Sequence, residues 1–146
     1  LAGSSAASDV YKRQFFDCPP SLNVLTVNAL IAAGSLIIPL QSEFFALEGL
    51  SQLLMSVREV RSLGNPDLRI EGVVLTMFDA RNRLSLQVEE DARENLGDLV
   101  FNTVIPRNVR ISEAPSFSMP VLSYDSRSKG ALAYRELAQE ILVRRN

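Results

Sequence analysis

The chain has 146 residues, 47% apolar and 22% charged, with a formal net charge of −2; this is the make-up of a single globular domain, not of a disordered or fibrous chain. One cysteine and no histidine exclude an internal disulfide, a cysteine-built zinc cage and a serine–histidine triad. No apolar run reaches the roughly 18 residues that span a bilayer, and the near-neutral charge gives no general pull towards nucleic acid, so such binding needs a local patch.

In chain order, Leu1 to Gln14 is small and polar and joins abruptly onto a strand-like apolar run at Phe15. We expect 1–14 to be a non-native or disordered leader and 15–146 to be part of one domain. Phe15-Phe16-Asp17-Cys18-Pro19-Pro20 reads as the tail of a buried strand that ends in a carboxylate. That is where ligands bind in open α/β sheets. Ser21 is placed to cap a helix running to about Ala33, with Gly34 as its stop. Leu36 to Leu40 reads as a short core strand with Pro39 at its end. Phe45 to Leu63 is an amphipathic helix, with Leu47, Leu50, Leu54, Val57 and Val60 on one stripe, ended by Gly64-Asn65-Pro66.

Arg69 to Thr76 is the next strand, centred on Val73-Val74-Leu75. A polar loop, Met77 to Arg83, leads to a helix over about Leu84–Leu96 closed by Gly97. Val100–Ile105 reads as a further strand, Pro106–Pro120 as an irregular connection, and Lys129–Arg144 as the last helix. On that helix the apolar positions are Tyr134, Leu137, Ala138, Ile141 and Leu142. Apolar β-runs alternating with helices predict an α/β fold with a parallel sheet and helices on both faces.

Few residues carry chemistry. Asp17 at a strand end either holds Mg²⁺, directly or through water, beside a nucleotide, or caps the following helix. Glu43 and Glu48 flank a helix start, where acids offset the helix dipole. Cys18 has no basic neighbour in sequence to activate it and reads as a small buried residue. Basic charge is almost all arginine, thirteen against Lys12 and Lys129, and guanidinium groups suit phosphate and interface contacts.

Several stretches carry a resemblance, beginning with Asp17-Cys18-Pro19-Pro20-Ser21-Leu22 and Thr26-Val27-Asn28-Ala29-Leu30. Together they resemble the Walker B and switch II region of ParA/Soj-type partition ATPases. The likeness continues through Ile38 to Leu50, Thr76-Met77-Phe78-Asp79-Ala80-Arg81, Ile105 to Ser116, and Tyr124 to Ala131 with Tyr134. It implies an incomplete P-loop-type sheet from a family that dimerises around ATP, binds DNA non-specifically as the ATP dimer and hydrolyses ATP slowly. A ParB-type centromere-binding protein stimulates that hydrolysis. The resemblance makes Asp17 the acid near Mg²⁺, sets Pro106 and Asn108 beside the adenine, and turns Arg81 and Arg110 towards DNA. It also implies a cytoplasmic, nucleoid-associated protein that is not held at a membrane. The ending at Arg144-Arg145-Asn146, without a basic amphipathic tail, favours partition over a MinD-type role.

Two departures stand out. Ser118 occupies a position where the family has glycine. The family's glycine-rich, lysine-bearing phosphate loop has no counterpart, since the seven glycines here never form a G-x-x-x-x-G-K-[ST] arrangement. We therefore expect this polypeptide alone neither to bind nor to hydrolyse ATP, the activity belonging to a longer parent. Two further readings are a DNA-binding or decoy subunit that uses Arg81 and Arg110 without nucleotide, and a receiver-type signalling domain phosphorylated on Asp17.

Overall fold

The computed structural model describes residues 14–19, 23–43 and 45–144. Two apolar runs form parallel strands, β1 (Ser35–Gln41) and β2 (Arg69–Thr76). Helix α1 (Val24–Ala32) precedes them, and α2 (Ala46–Leu63) makes the crossover between them. After β2 come α3 (Arg83–Leu96), a 3₁₀ turn over Gly97–Leu99, the short helix α4 (Val109–Glu113) and a second 3₁₀ turn over Ala114–Phe117. The last elements are α5 (Val121–Tyr124) and α6 (Lys129–Arg144).

Helices cover both faces of the sheet. On one face Ile38, Leu40, Val73 and Leu75 pack with Leu50 of α2 and Ala92 of α3. On the other, Val74, Phe101 and Ile105 pack with Ala133 and Leu137 of α6. The pairing Ile38↔Val73 and Leu40↔Leu75 keeps like faces together, and each such buried side chain contributes about 1.5–3 kcal/mol. Helix α1 joins through Leu30, which meets Val57, Val60 and Leu68.

The expected α/β architecture holds, with local corrections. Phe15–Asp17 is not a strand: the segment has no regular structure, and Phe15 and Phe16 are 83% and 52% exposed. A strand needs a neighbour to take its backbone groups, and among the described residues β1 pairs only with β2. The leader expected over 1–14 lies outside the described residues except for Gln14, and Ser21 lies outside them too. Asn23 caps α1, its Oδ1 accepting from the Thr26 amide at 3.0 Å, and the helix ends at Ala32 with Ala33 as its C-cap, one residue short of the expected end before Gly34. Pro39 sits inside β1, paired with Val74, not at its end. With one side of β1 unpaired among the described residues, the missing N–H there costs no ladder bond.

The expected strand Val100–Ile105 is reduced to isolated bridges, Val73↔Val100 and Phe78↔Pro106. The Phe101 amide donates to the Val73 carbonyl, but it is the Ile105 amide that reaches Leu75. A regular parallel ladder would use residue 103 there, so two extra residues loop out. The cause is on α6: the Glu140 carboxylate accepts from the Asn102 amide at 2.8 Å and the Thr103 amide at 2.9 Å. The Thr103 amide, which a regular ladder would direct to Leu75, is thereby lost to the sheet.

The connection Pro106–Pro120 is more ordered than expected, containing α4 and a 3₁₀ turn, and α5 follows directly after it. On α6 the buried positions are Gly130, Ala131, Ala133 and Leu137, whereas Tyr134 and Leu142 are 38% and 49% exposed and Ala138 is exposed. Small residues let the helix approach closely: a Cβ on Gly130 would lie 2.5 Å from Ile111 Cγ1. Gly72 is constrained in the same way, since a Cβ there would meet the Phe101 ring at 2.6 Å and the Leu99 carbonyl oxygen at 3.0 Å.

Candidate functional site

At the carboxyl end of the strands two loops meet. The Ser42 amide and hydroxyl both donate to the Thr76 carbonyl, at 3.1 and 3.3 Å, tying the exit of β1 to that of β2. Met77 then takes a left-handed backbone conformation, φ 54°, which turns the chain sharply; non-glycine residues there are uncommon and cluster at functional turns. The Phe78 amide donates to the Ile105 carbonyl at 3.1 Å, and the Arg107 amide donates to the Phe78 carbonyl at 2.9 Å. The loop carrying Arg81 is thereby fastened to the loop carrying Pro106, Asn108 and Arg110.

Asp79 organises the first loop. Its Oδ1 accepts from both the amide and Nε of Arg81, and its Oδ2 accepts from Arg81 Nη2, all at 3.0 Å. The Arg81 side-chain hydrogen bonds, then its amide, hold the Asp79 carboxyl at about 2 against the opposing effect of burial, with the charges of Arg81 and Arg107 adding to the shift. Arg81 itself is 90% exposed along its side chain. Asn82 closes the turn and caps α3, its Oδ1 accepting from the Leu84 amide at 3.0 Å.

The second loop follows the same plan. Pro106 is half-buried in its bridge to Phe78. Asn108 is also half-buried and caps α4, its Oδ1 accepting from the Arg110 amide at 2.9 Å. Arg110 is exposed; its Nη1 donates to Glu113 Oε2 at 2.8 Å, and its Nε lies 3.5 Å from Asp125 Oδ2. The hydrogen bond to Glu113 is the main cause of an upward shift of the Arg110 pKa. Tyr124 donates to the same Glu113 oxygen at 3.3 Å and stacks on Phe117, ring centroids 5.0 Å apart. Ser118, where glycine was the expected residue, has φ 52° and ψ 35°, the left-handed region.

Asp17 is not part of this assembly. It is exposed, and its neighbours Phe16 and Cys18 line a cleft of about 760 Å³ with Ser35, Leu36, Arg69 and Glu71. Those partners belong to the amino ends of the strands, opposite the loops of Arg81 and Arg110. Cys18 is likewise exposed, not buried as its sequence setting suggests. Glu48 lies in the first turn of α2, whose N-cap makes no side-chain hydrogen bond; Glu43 is exposed just before it. Among the described residues no group of three or more potential metal ligands occurs, and no helix is long and apolar enough to cross a membrane.

Residues 5–70 match a family profile described as an AAA domain. The chain is 57% identical over 138 residues to the chromosome partitioning protein ParA of Caulobacter vibrioides (strain NA1000 / CB15N), covering 94% of this chain and 52% of that one. It is 54% identical over 136 residues to the sporulation initiation inhibitor protein Soj of Bacillus subtilis (strain 168), covering 93% and 54%. Over most of its length the chain is a homologue of ParA and Soj partition proteins. It spans about half the length of these curated relatives. Among solved structures, the cobyrinic acid a,c-diamide synthase of Mycobacterium smegmatis superposes with a TM-score of 0.67 at 38% identity, over 86% of this chain and 44% of that one. That synthase has also been crystallised with ADP and magnesium and with an ATP analog and magnesium.

Within this ParA/Soj homologue, reading the residues alone misses Asp79, Glu113 and Asp125, the carboxylates that hold the two arginines. The Asp79-Ala80-Arg81 spacing was a usable signal, since an aspartate accepts readily from the amide two residues on. Asp125 had none, being brought to Arg110 by the fold alone.

Proposed function

We propose that this chain is the carboxyl-terminal part of an ATP-dependent chromosome or plasmid partition protein. In this reading Arg81 and Arg110 grip the DNA backbone without reading sequence. The observation that carries it is the pair of backbone hydrogen bonds joining Phe78 to Ile105 and Arg107. They set two exposed arginines on adjoining loops, and guanidinium groups so placed suit phosphate contacts. The working form would be a homodimer bound to ATP and Mg²⁺, acting with a ParB-type partner on the nucleoid in the cytoplasm.

The loop after Ile105 also suits a nucleotide base. A half-buried proline and a half-buried asparagine amide on one loop suit the face and edge of an adenine, so Pro106 and Asn108 would hold the base. The described residues offer no phosphate cradle, and Asp17, the proposed Mg²⁺ acid, stands apart from that loop. ATP and its magnesium supply the energy of the cycle when bound; this chain's own share is to orient the base and present the arginines.

The test is retention on non-specific DNA by the longest protein its reading frame encodes. R81E/R110E should lose binding by at least about tenfold at low salt and flatten the salt dependence by roughly 0.9 in log–log slope per lost phosphate contact. Unchanged binding in low salt would sink the assignment. Because both loops are held by the chain's own backbone, binding that persists without ATP would favour the nucleotide-independent reading.

A further inference from the structure

Both proposed DNA arginines are already engaged by carboxylates of the same chain. Arg81 commits Nε and Nη2 to Asp79, and Arg110 commits Nη1 to Glu113 with Nε near Asp125. A guanidinium forks a carboxylate and a phosphate with the same edge. The two acceptors therefore compete for Arg81, and an exposed ion pair is weak enough to be exchanged.

We propose that Asp79 is an affinity-setting residue: an internal stand-in for phosphate that DNA must displace from Arg81, which keeps non-specific DNA binding weak and reversible. The inference rests on the DNA reading of Arg81 and Arg110. Asp79 is the stronger holder, because it makes the paired fork and also anchors the turn through the Arg81 amide. Arg107 adds to the effect, since its charge also favours the ionised Asp79. At the Arg110 end the carboxylates do other work as well. Glu113 accepts from Tyr124, and Asp125 Oδ1 accepts from the Arg127 amide at 3.3 Å. That leaves Asp79 as the clean place to remove a competing charge.

Acidification cannot release this hold at working pH, because the Asp79 carboxyl stays ionised down to about 2. The neutral isostere D79N does so, and its amide oxygen still accepts from the Arg81 amide, so the turn is preserved. In the longest protein encoded, loaded with ATP and Mg²⁺ and titrated with a random-sequence duplex, D79N should bind roughly five- to tenfold tighter at ~100 mM salt. Its log–log salt slope should steepen by about 0.9, the signature of one more released counterion. In an R81A background the same substitution should bring most of that gain to nothing. D79N binding that is unchanged or weaker, with an unaltered melting temperature, would overturn the inference by making Asp79 an organiser of Arg81. If R81E/R110E leaves DNA binding intact, the DNA reading itself fails; if R81E/R110E abolishes binding but D79N does not tighten it, only the competitor role fails.

Discussion

Two short apolar stretches, Phe15-Phe16 and Val100-Phe101, have the same β-like sequence character and opposite fates. Phe101 is 0% exposed, packed by Val74, Ile105, Ala133 and Leu137, with the Arg144 guanidinium 4.4 Å above its ring. Arg144 also donates to the carbonyls of Asp98 and Val100, at 2.8 and 3.0 Å, and to Glu140 at 2.8 Å. Among the described residues Phe15 has no such surroundings, and it stands 83% exposed. The difference teaches that an apolar run is held by the neighbours that cover it and take its backbone groups, not by its own hydrophobicity. It also separates two candidate sites: the Arg81–Arg110 loops rest on the Phe101 side of the molecule, whereas Asp17 hangs from the uncovered segment.

That contrast can be tested by unfolding measurements on the chain. The largest effect should come from F101A, which empties a filled core position and should cost about 3–5 kcal/mol; F15A should change stability by less than about 0.5 kcal/mol. Comparable losses from both would show that Phe15 is covered in solution. Next comes E140A, which leaves the Asn102 and Thr103 amides without their acceptor and should cost about 2 kcal/mol, visible as a lower denaturant midpoint.

The same group predicts a pH response. Burial disfavours its charge, but the amides of Asn102 and Thr103, the Thr103 side chain and Arg144 outweigh it and lower the pKa below the ordinary glutamate value of 4.5. A group with a depressed folded pKa stabilises above the unfolded value and loses that contribution as pH falls through the folded one. The stability difference between wild type and E140A should therefore be full above pH 4.5 and shrink below it. A difference that stayed constant as the pH fell to about 2 would refute the carboxylate's role. The smallest effect should be S118G, which relieves a left-handed serine and should gain roughly 0.5 kcal/mol after the greater chain entropy of glycine is counted. A lower melting temperature would mean that the serine side chain contributes something its backbone strain conceals.

Much was readable from the residues where the local signal was strong. Strand β2 falls on Arg69–Thr76 and the last helix on Lys129–Arg144, as expected, because the Val73-Val74-Leu75 core of the strand and a long helical period leave few alternatives. The Arg81 and Arg110 loops were legible through resemblance and sit together at the strand ends. The apolar face of α6 was read correctly at Leu137 and Ile141 but not at Tyr134, Ala138 and Leu142. Gly130 was overlooked because its close approach to Ile111 rewards the absence of a side chain.

By itself, then, the sequence determined the alternation of strand and helix, the parallel α/β class, the helix-ending turns and the kinship with ParA and Soj, since these depend on local periodicity and residue identity. The tertiary structure alone decided three things: that Glu140 would break the third strand, that Asp125 would reach Arg110, and that the Phe15–Asp17 run would lie uncovered. Each depends on groups far apart in the chain competing for one hydrogen-bonding or packing position, and no local pattern records the outcome of that competition.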